Sequence, residues 1–296
     1  PARAIVTQFL ISMWFALARL PFFAYRLISS SIAMLLAMLL FALARERRMV
    51  TLTNLSLCFP DSSILQRIRW AMVHIYFYLR TFLDRAWLWS GNERVVRDRV
   101  RIENPEGLAI LDSASPTIFL APHFLGLDAA WSRLCLEIDM VTMYSNQKNP
   151  VLNSLILQGR SKFGDQLLLS RQQGVRPLLA AMKKGRPLYY LPDMDFGERD
   201  SVFVDFFGVK AATVTAVARL SRLLQAQVVP VTTKYSKGRY SIHIHAPLPS
   251  FPLDDDAEST QLMNHYIESW VKDNIPQYLW LHKRFKTRPA GESRIY

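Results

Sequence analysis

The sequence predicts an α/β protein, a mixed central sheet flanked by helices and preceded by a hydrophobic helix. Three observations point there. Short apolar runs of strand length alternate with longer segments of helical periodicity between residues 117 and 272, the pattern of a largely parallel or mixed sheet with helices packed on it. Residues 27–44, LISSSIAMLLAMLLFALA, carry no charge at all. Half of the 296 residues are hydrophobic and 12% are aromatic, enough for a substantial core and too much for a chain dominated by disorder.

The uncharged segment makes a helix of roughly 27 Å, marginally long enough for a bilayer's hydrocarbon core. An earlier apolar stretch, Ile5 to Ala18, is set apart from it by Arg19, Pro21 and Arg26, and Arg45, Arg47 and Arg48 follow it. Arginines in that position suit lipid phosphates on the cytoplasmic side. A signal peptide would end in small residues at a cleavage site rather than in RERR. A buried core helix is the competing reading, and spanning or lying along the bilayer are both open. The expected division is an anchor over residues 1–45 and one α/β domain over 46–296, with no linker or repeat inside it.

Within that domain Thr117 to Ala121 reads as a buried strand leading into a helix from about Leu127 to Ile138. Asn149-Pro150 is an N-cap and first-turn pair opening a helix to about Phe163, which stops at Gly164. Gln166 to Ser170 is a strand. Pro177 opens a helix that ends at Gly185, and Leu188 to Leu191 is a strand that ends at Pro192. A helix over Thr213 to Leu224, strands Val228 to Tyr235 and Tyr240 to His245, and a helix from about Glu258 to Lys272 complete the series. In such sheets ligands bind beyond the carboxyl ends of the strands.

The net charge of +12 draws polyanions: nucleic acid, an anionic membrane surface or an acidic protein. No groove-reading or base-stacking motif is present, so nucleic acid is set aside. Cys58 and Cys135 lie far apart without metal-ligand spacing, which fits a reducing compartment rather than a disulfide framework.

Four clusters carry chemistry. In Ala121-Pro122-His123-Phe124-Leu125-Gly126-Leu127-Asp128, His123 follows a strand and Asp128 stands five residues on. A tight turn at Gly126 would fold the Asp128 carboxylate onto the imidazole, fix its tautomer and leave the other ring nitrogen to take a proton from a substrate hydroxyl. The plainer reading makes both residues turn and helix caps. In Leu191-Pro192-Asp193-Met194-Asp195-Phe196-Gly197, two carboxylates at a strand end are placed either to bind sugar hydroxyls or to make ordinary turn bonds. The segment Gln277 to Pro289 packs Lys283, Arg284, Lys286 and Arg288 among aromatics, an expected anion-binding surface. Arg160, at a helix end, can stabilise an oxyanion, hold a phosphate, or satisfy the last helical carbonyls. His243 and His245 share a strand face, but no third ligand stands near and no metal is expected.

Together these segments resemble the lipid A biosynthesis secondary acyltransferases, the lauroyl/myristoyl group. The resemblance covers nearly the whole chain: the hydrophobic start, Asn54-Leu55-Ser56-Leu57-Cys58-Phe59-Pro60, the His123 block, Gly159-Arg160, Leu191 to Gly197, Phe206-Phe207-Gly208 with Thr213 and Thr215, and Pro276-Gln277-Tyr278-Leu279-Trp280 with the basic string to Pro289. It implies a fold similar to glycerol-phosphate acyltransferases, docked on the cytoplasmic face of the bacterial inner membrane, with acyl carrier protein thioester as donor, a Kdo-bearing lipid A precursor as acceptor, and no cofactor. It implies His123 as catalytic base, Asp128 where most members carry glutamate, Arg160 at the active site, and Asp193 at the acceptor-side acidic position. With these go Asp195, Lys283, Arg284 and Lys286 as expected substrate contacts. Met194 stands where many members have glutamine. The rival expectations are the same chemistry on an ornithine lipid or lysophospholipid, and a basic membrane scaffold without catalysis.

Overall fold

A computed structural model describes residues 2–112 and 115–296, with side chains from residue 10 onward. Four helices lead: α1 (Ala2–Ala18), α2 (Phe22–Leu43), α3 (Arg45–Cys58) and α4 (Ile64–Ser90), followed by the short α5 (Glu93–Arg99). The rest alternates: β1 (Val100–Ile102), β2 (Thr117–Leu120), α6 (Leu127–Leu134), β3 (Val141–Tyr144), α7 (Pro150–Arg160), β4 (Leu167–Ser170), α8 (Arg176–Lys183) and β5 (Leu188–Tyr190). There follow β6 (Ser201–Phe206), β7 (Val209–Val214), α9 (Ala216–Leu224), β8 (Gln227–Ser236), β9 (Arg239–Ile244) and α10 (Asp256–Asp273).

Seven strands form one sheet in the order β1-β9-β8-β2-β5-β3-β4, parallel throughout except for the β8–β9 pair. The expected α/β class with a mostly parallel sheet is what the chain forms. β2 is central, in register with β5 (Leu120 opposite Tyr190) and with β8 (Leu120 opposite Pro230). All four of its residues are buried, as a strand covered on both faces requires. Ile118 and Leu120 pack into the core holding Leu188, Val228, Ile267 and Trp280. Phe119 and Ala121 point the other way, towards Trp87, Trp131, Tyr189 and Ile242. The period of two along β2 thus serves both cores.

Local chemistry accounts for the boundaries. Asn149 caps α7 by accepting from the Val151 and Leu152 amides at 2.9 and 3.2 Å, with Pro150 in the first turn. Ser63 caps α4 through the Gln66 amide. Two expectations are corrected. The helix from Leu127 stops at Leu134, short of Ile138. Thr213 and Val214 belong to β7 rather than to a helix, which begins at Ala216. The reason for the second lies in Phe207 and Gly208, both at positive φ (53° and 76°), which close β6 and β7 into a two-residue hairpin. Lys237 and Gly238, at 52° and 85°, do the same between β8 and β9.

The long helix α4 lies between α2 and the body of the sheet. Its buried Asp84 accepts from the hydroxyls of Tyr25 on α2 (2.9 Å) and Tyr240 on β9 (2.7 Å), from Trp87 Nε1 (2.7 Å), and from Arg80. One carboxylate therefore ties α2 and α4 to β9, the strand next to the β1 edge of the sheet. α2 is the one helix among those described that is long and apolar enough to cross a membrane by length and composition.

Candidate active site

The site lies beyond the carboxyl ends of β2 and β5, the position expected for a parallel sheet. β2 delivers His123 and the neighbouring β5 delivers Asp193. Asp193 Oδ1 lies 2.7 Å from His123 Nδ1, and its Oδ2 accepts the His123 backbone N–H at 2.9 Å. The Tyr278 hydroxyl donates to the same carboxylate. Burial pushes the Asp193 carboxyl upward, but the His123 imidazole and these donors outweigh it, and its pKa is held below the usual range. An ionised Asp193 can only accept, so Nδ1 carries a proton, and the tautomer this selects leaves Nε2 bare. Nε2 is thereby the atom equipped to take a proton, and His123 lines a cavity of about 1050 Å³.

The loop bearing His123 is held from the far end of the chain. The Leu125 amide donates to Gln277 O (2.8 Å) and the Leu279 amide to His123 O (3.0 Å), with Phe124 bridged to Tyr278. Gln277 is anchored by its own side chain, which bonds both the N–H and the C=O of Tyr235 on β8. Asn54 on α3 donates to Trp280 O and His282 O, both at 2.8 Å. Gly126 sits where an added Cβ would fall 2.7 Å from Thr233 Oγ1, so the turn after His123 can press against β8 only without a side chain.

Asp128 does not orient His123. Its buried carboxylate accepts from Arg85 Nε at 2.7 Å and from Arg160, Nε at 3.0 Å and Nη2 at 2.9 Å. Burial raises its pKa, the two guanidiniums lower it more, and the net result lies well below the carboxylate range. The physical reason for the correction is the helix. Asp128 occupies the first turn of α6, directed at α4 and α7, while Asp193 on the adjacent parallel strand lies beside the ring. Arg85 had no local sequence signal beyond being a cation in the aromatic stretch around Trp87 and Trp89. Arg160 reaches the site because Gly159, with no side chain, lets α7 lie against the Trp89 ring.

The remaining expected contacts divide. Asp193 is the histidine's partner rather than a free acceptor-side carboxylate. Asp195 is corrected likewise: it is buried and accepts from the Thr287 amide (2.7 Å), the Thr287 hydroxyl (2.8 Å) and the Gly197 amide (3.0 Å). Arg284 is buried under β7, donating to Ala212 O and Thr213 Oγ1 at 2.8 and 2.6 Å. Lys283 pairs with Glu46 of α3 at 2.9 Å, and Lys286 is exposed. The aromatics of this segment pull it inward, so most of its cations brace the fold instead of forming an open anion surface. Arginines facing the cavity are Arg47, Arg85, Arg160, Arg171 and Arg219. His282, also on the cavity wall, accepts the Asp195 amide at Nε2 (3.0 Å), and burial pushes its pKa down to about 4.

An imidazole held at Nδ1 by a buried carboxylate, with arginines lining the same cavity, is equipment for acyl or phosphoryl transfer to a hydroxyl. Comparison with known proteins decides which. A family model described as bacterial lipid A biosynthesis acyltransferase matches residues 1–287. The chain belongs to this family. A lipid A biosynthesis acyltransferase of Haemophilus influenzae is 32% identical over 261 residues, covering 84% of this chain and 79% of that protein. The lipid A biosynthesis myristoyltransferase of Escherichia coli K12 is 31% identical over 270 residues, covering 86% and 80%. The lauroyltransferase of the same strain is 29% identical over 256 residues, covering 85% and 83%. The family read from the motifs is therefore the one found, and membership supports an acyltransferase of lipid A biosynthesis.

Proposed function

We propose that the protein transfers a fatty acyl chain from an acyl carrier protein thioester to the 3-hydroxyl of an acyl chain already present on a Kdo-bearing lipid A precursor. His123 Nε2 takes the hydroxyl proton as the oxygen attacks the thioester carbonyl. Asp193 holds the ring in the productive tautomer and stabilises the imidazolium. Arg160, fixed by Asp128 with Arg85 on its other oxygen, faces the developing oxyanion. The C–S bond breaks, the departing sulfur takes the proton back from His123, and an acyl-oxyacyl ester results. The observation that carries this reading is the hydrogen bond from His123 Nδ1 to a buried Asp193 at the wall of a cavity of about 1050 Å³, a volume suited to a long acyl chain.

The five cavity-facing arginines suit an acceptor bearing phosphates and Kdo carboxylates, and the net charge of +12 suits an acidic carrier protein. Residues 1–45 form the anchor to the cytoplasmic face of the inner membrane, with residues 46–296 as the catalytic domain, on a fold similar to glycerol-phosphate acyltransferases. The test is to incubate detergent-solubilised protein with a panel of acyl carrier protein thioesters and tetra-acylated Kdo-lipid A precursor, reading products by mass spectrometry beside His123→Ala. A gain of one acyl unit, absent in the variant, is expected. Product on an ornithine lipid or lysophospholipid alone would move the acceptor, and no product on any lipid would leave a non-catalytic scaffold.

A further inference from the structure

The hydrophobic helix α2 would ordinarily be read as a membrane span. We infer that it instead lies in the plane of one leaflet, docked lengthwise on the catalytic body, with the cavity mouth at headgroup level. The inference rests on the reading that residues 1–45 bind the membrane.

The packing of α2 is the first argument. Its buried residues are Tyr25, Ser29, Ala33 and Ala37, one every four, a narrow row that sits against α4. The helices run antiparallel. Tyr25 bonds Asp84 near the end of α4, while Met34, Ala37 and Met38 share a groove with Leu65, Gln66 and Met72 near its start. The opposite row, Phe23, Leu27, Ser31, Leu35, Leu39 and Leu43, is exposed along the entire helix, from 72% at Phe23 to 65% at Leu35 and 72% at Leu43. Ile28, Ile32, Met34, Leu36, Met38 and Leu40 are exposed as well, so everything but the docked row is free apolar surface, running the full length of a helix that is laid along the body.

Both ends of α2 are attached to the body. At its start Arg26 Nη1 donates to Lys237 O at the β8–β9 turn (3.1 Å). At its finish Leu40 and Ala44 line the catalytic cavity, and Arg47 Nη1 donates to Leu281 O (3.4 Å). The two ends are about 33 Å apart for 22 residues. A perpendicular α2 would drag α4 into the hydrocarbon with it, including Arg67 and the exposed Arg69, and would put the β8–β9 turn and the active site on opposite sides of the bilayer. Polar groups at that depth are expensive and are tolerated only when paired.

Charge gives an independent argument. A spanning helix has its cations biased to one end. Here Arg19 and Arg26 flank the start and Arg45, Arg47 and Arg48 the finish. An in-plane helix brings both groups to the phosphates of the same leaflet.

The experiment uses the full chain added to preformed sealed vesicles of phosphatidylethanolamine and phosphatidylglycerol. Cys58 and Cys135 are buried, so single Leu27→Cys, Leu35→Cys and Leu43→Cys variants, all on the exposed row, can each carry a nitroxide. Sedimentation with vesicles is measured first and label depth second. Equal depths at the three positions are expected. Spanning would place the Leu35 label about 12 Å deeper than Leu43, eight residues at 1.5 Å each, and would overturn the proposal. As a second readout, Arg19→Cys and Arg45→Cys should both react with a membrane-impermeant maleimide added outside, and protection of one until detergent is added would equally overturn it. Failure to sediment at all would remove the membrane reading itself, a result distinct from a sloped depth profile.

Discussion

Asp193→Asn separates the two carboxylates near the active site. In the native protein two donors of His123 converge on Asp193, the backbone amide on one oxygen and Nδ1–H on the other, with the Tyr278 hydroxyl as a third donor. An asparagine has one oxygen and one NH₂ at that place, so only one of the two His123 donors can be accepted. If the oxygen keeps the backbone amide, the NH₂ faces Nδ1, which must then accept, and the ring proton moves to Nε2, where it blocks the base. If the oxygen keeps Nδ1, the buried backbone N–H is orphaned. Either way the negative charge opposite the imidazolium is gone. At about 4 Å between charge centres and an effective dielectric of about 20, that charge contributes about 4 kcal/mol to the transition state, or a rate loss of about 10³-fold. The expected outcome is a fall in kcat of about 10³-fold with KM within about twofold, in a steady-state assay of thioester consumption. Asp128→Asn leaves the His123 tautomer untouched. It leaves two half-buried guanidiniums without their anion, so it should lower stability by about 1–3 kcal/mol in urea titration and lower kcat far less than Asp193→Asn does. Near-native turnover in Asp193→Asn, or a larger kcat loss in a folded Asp128→Asn protein, would refute the pairing of His123 with Asp193.

Further outcomes follow from the same geometry. Gly159→Ala would put a Cβ into the Trp89 ring; an overpacking loss of about 1–3 kcal/mol, with reduced activity through the shifted Arg160, is expected by thermal melt and turnover. Asn54→Ala removes two buried bonds to Trp280 O and His282 O and should destabilise by about 2–4 kcal/mol in chemical denaturation. His74 is fully buried and burial pushes its pKa down from 6.5 to about 4. The folded state holds it neutral while the unfolded chain protonates near 6.5, so stability is complete above that pH and falls as the pH drops from 6.5 towards 4. At pH 5 the loss from this one residue is about 2 kcal/mol, to be read from urea midpoints at pH 7 and 5. His74→Phe should flatten that dependence, and an unchanged slope would show that the imidazole is not held neutral. Removing residues 1–45 should release the protein from membranes, and continued pelleting of the truncated chain in high salt would place the anchor elsewhere.

What the sequence could and could not disclose follows from the range of the interactions. β2, β5, β8, β9 and the Asn149 cap were legible because periodicity and capping act over a few residues. The β6–β7 hairpin was hidden because its turn, Phe207-Gly208, uses a phenylalanine in the left-handed region, where glycine or asparagine is the usual signal. The His123 block stands out in the sequence as a candidate site, but the partner of its imidazole does not. Five residues of separation favoured Asp128, whereas the strand pairing that places Asp193 beside the ring joins positions 70 residues apart. Arg85 arrives from 43 residues upstream of Asp128, and no spacing rule reports such a contact. The basic string from Lys283 predicts an anion-binding surface because nothing local in the sequence tells which of its cations the neighbouring aromatics draw inward. Phe285 and Trp280 are buried and carry Arg284 inward with them.

The stitching of the His123 loop to residues 277–279 has a consequence for the order of events during synthesis. Chains are made from the amino terminus, so α2 and α4 are available to dock early, while the bridge from Phe124 to Tyr278 must wait for some 150 further residues. Strand β1 waits similarly for β9, its parallel neighbour. On the proposed membrane reading, a nascent chain can therefore already rest at the bilayer with His123 unsupported by the Gln277–Leu279 segment. On the proposed reading of His123 as the base, a partially made chain has no fully supported base until residues 277–279 have been made.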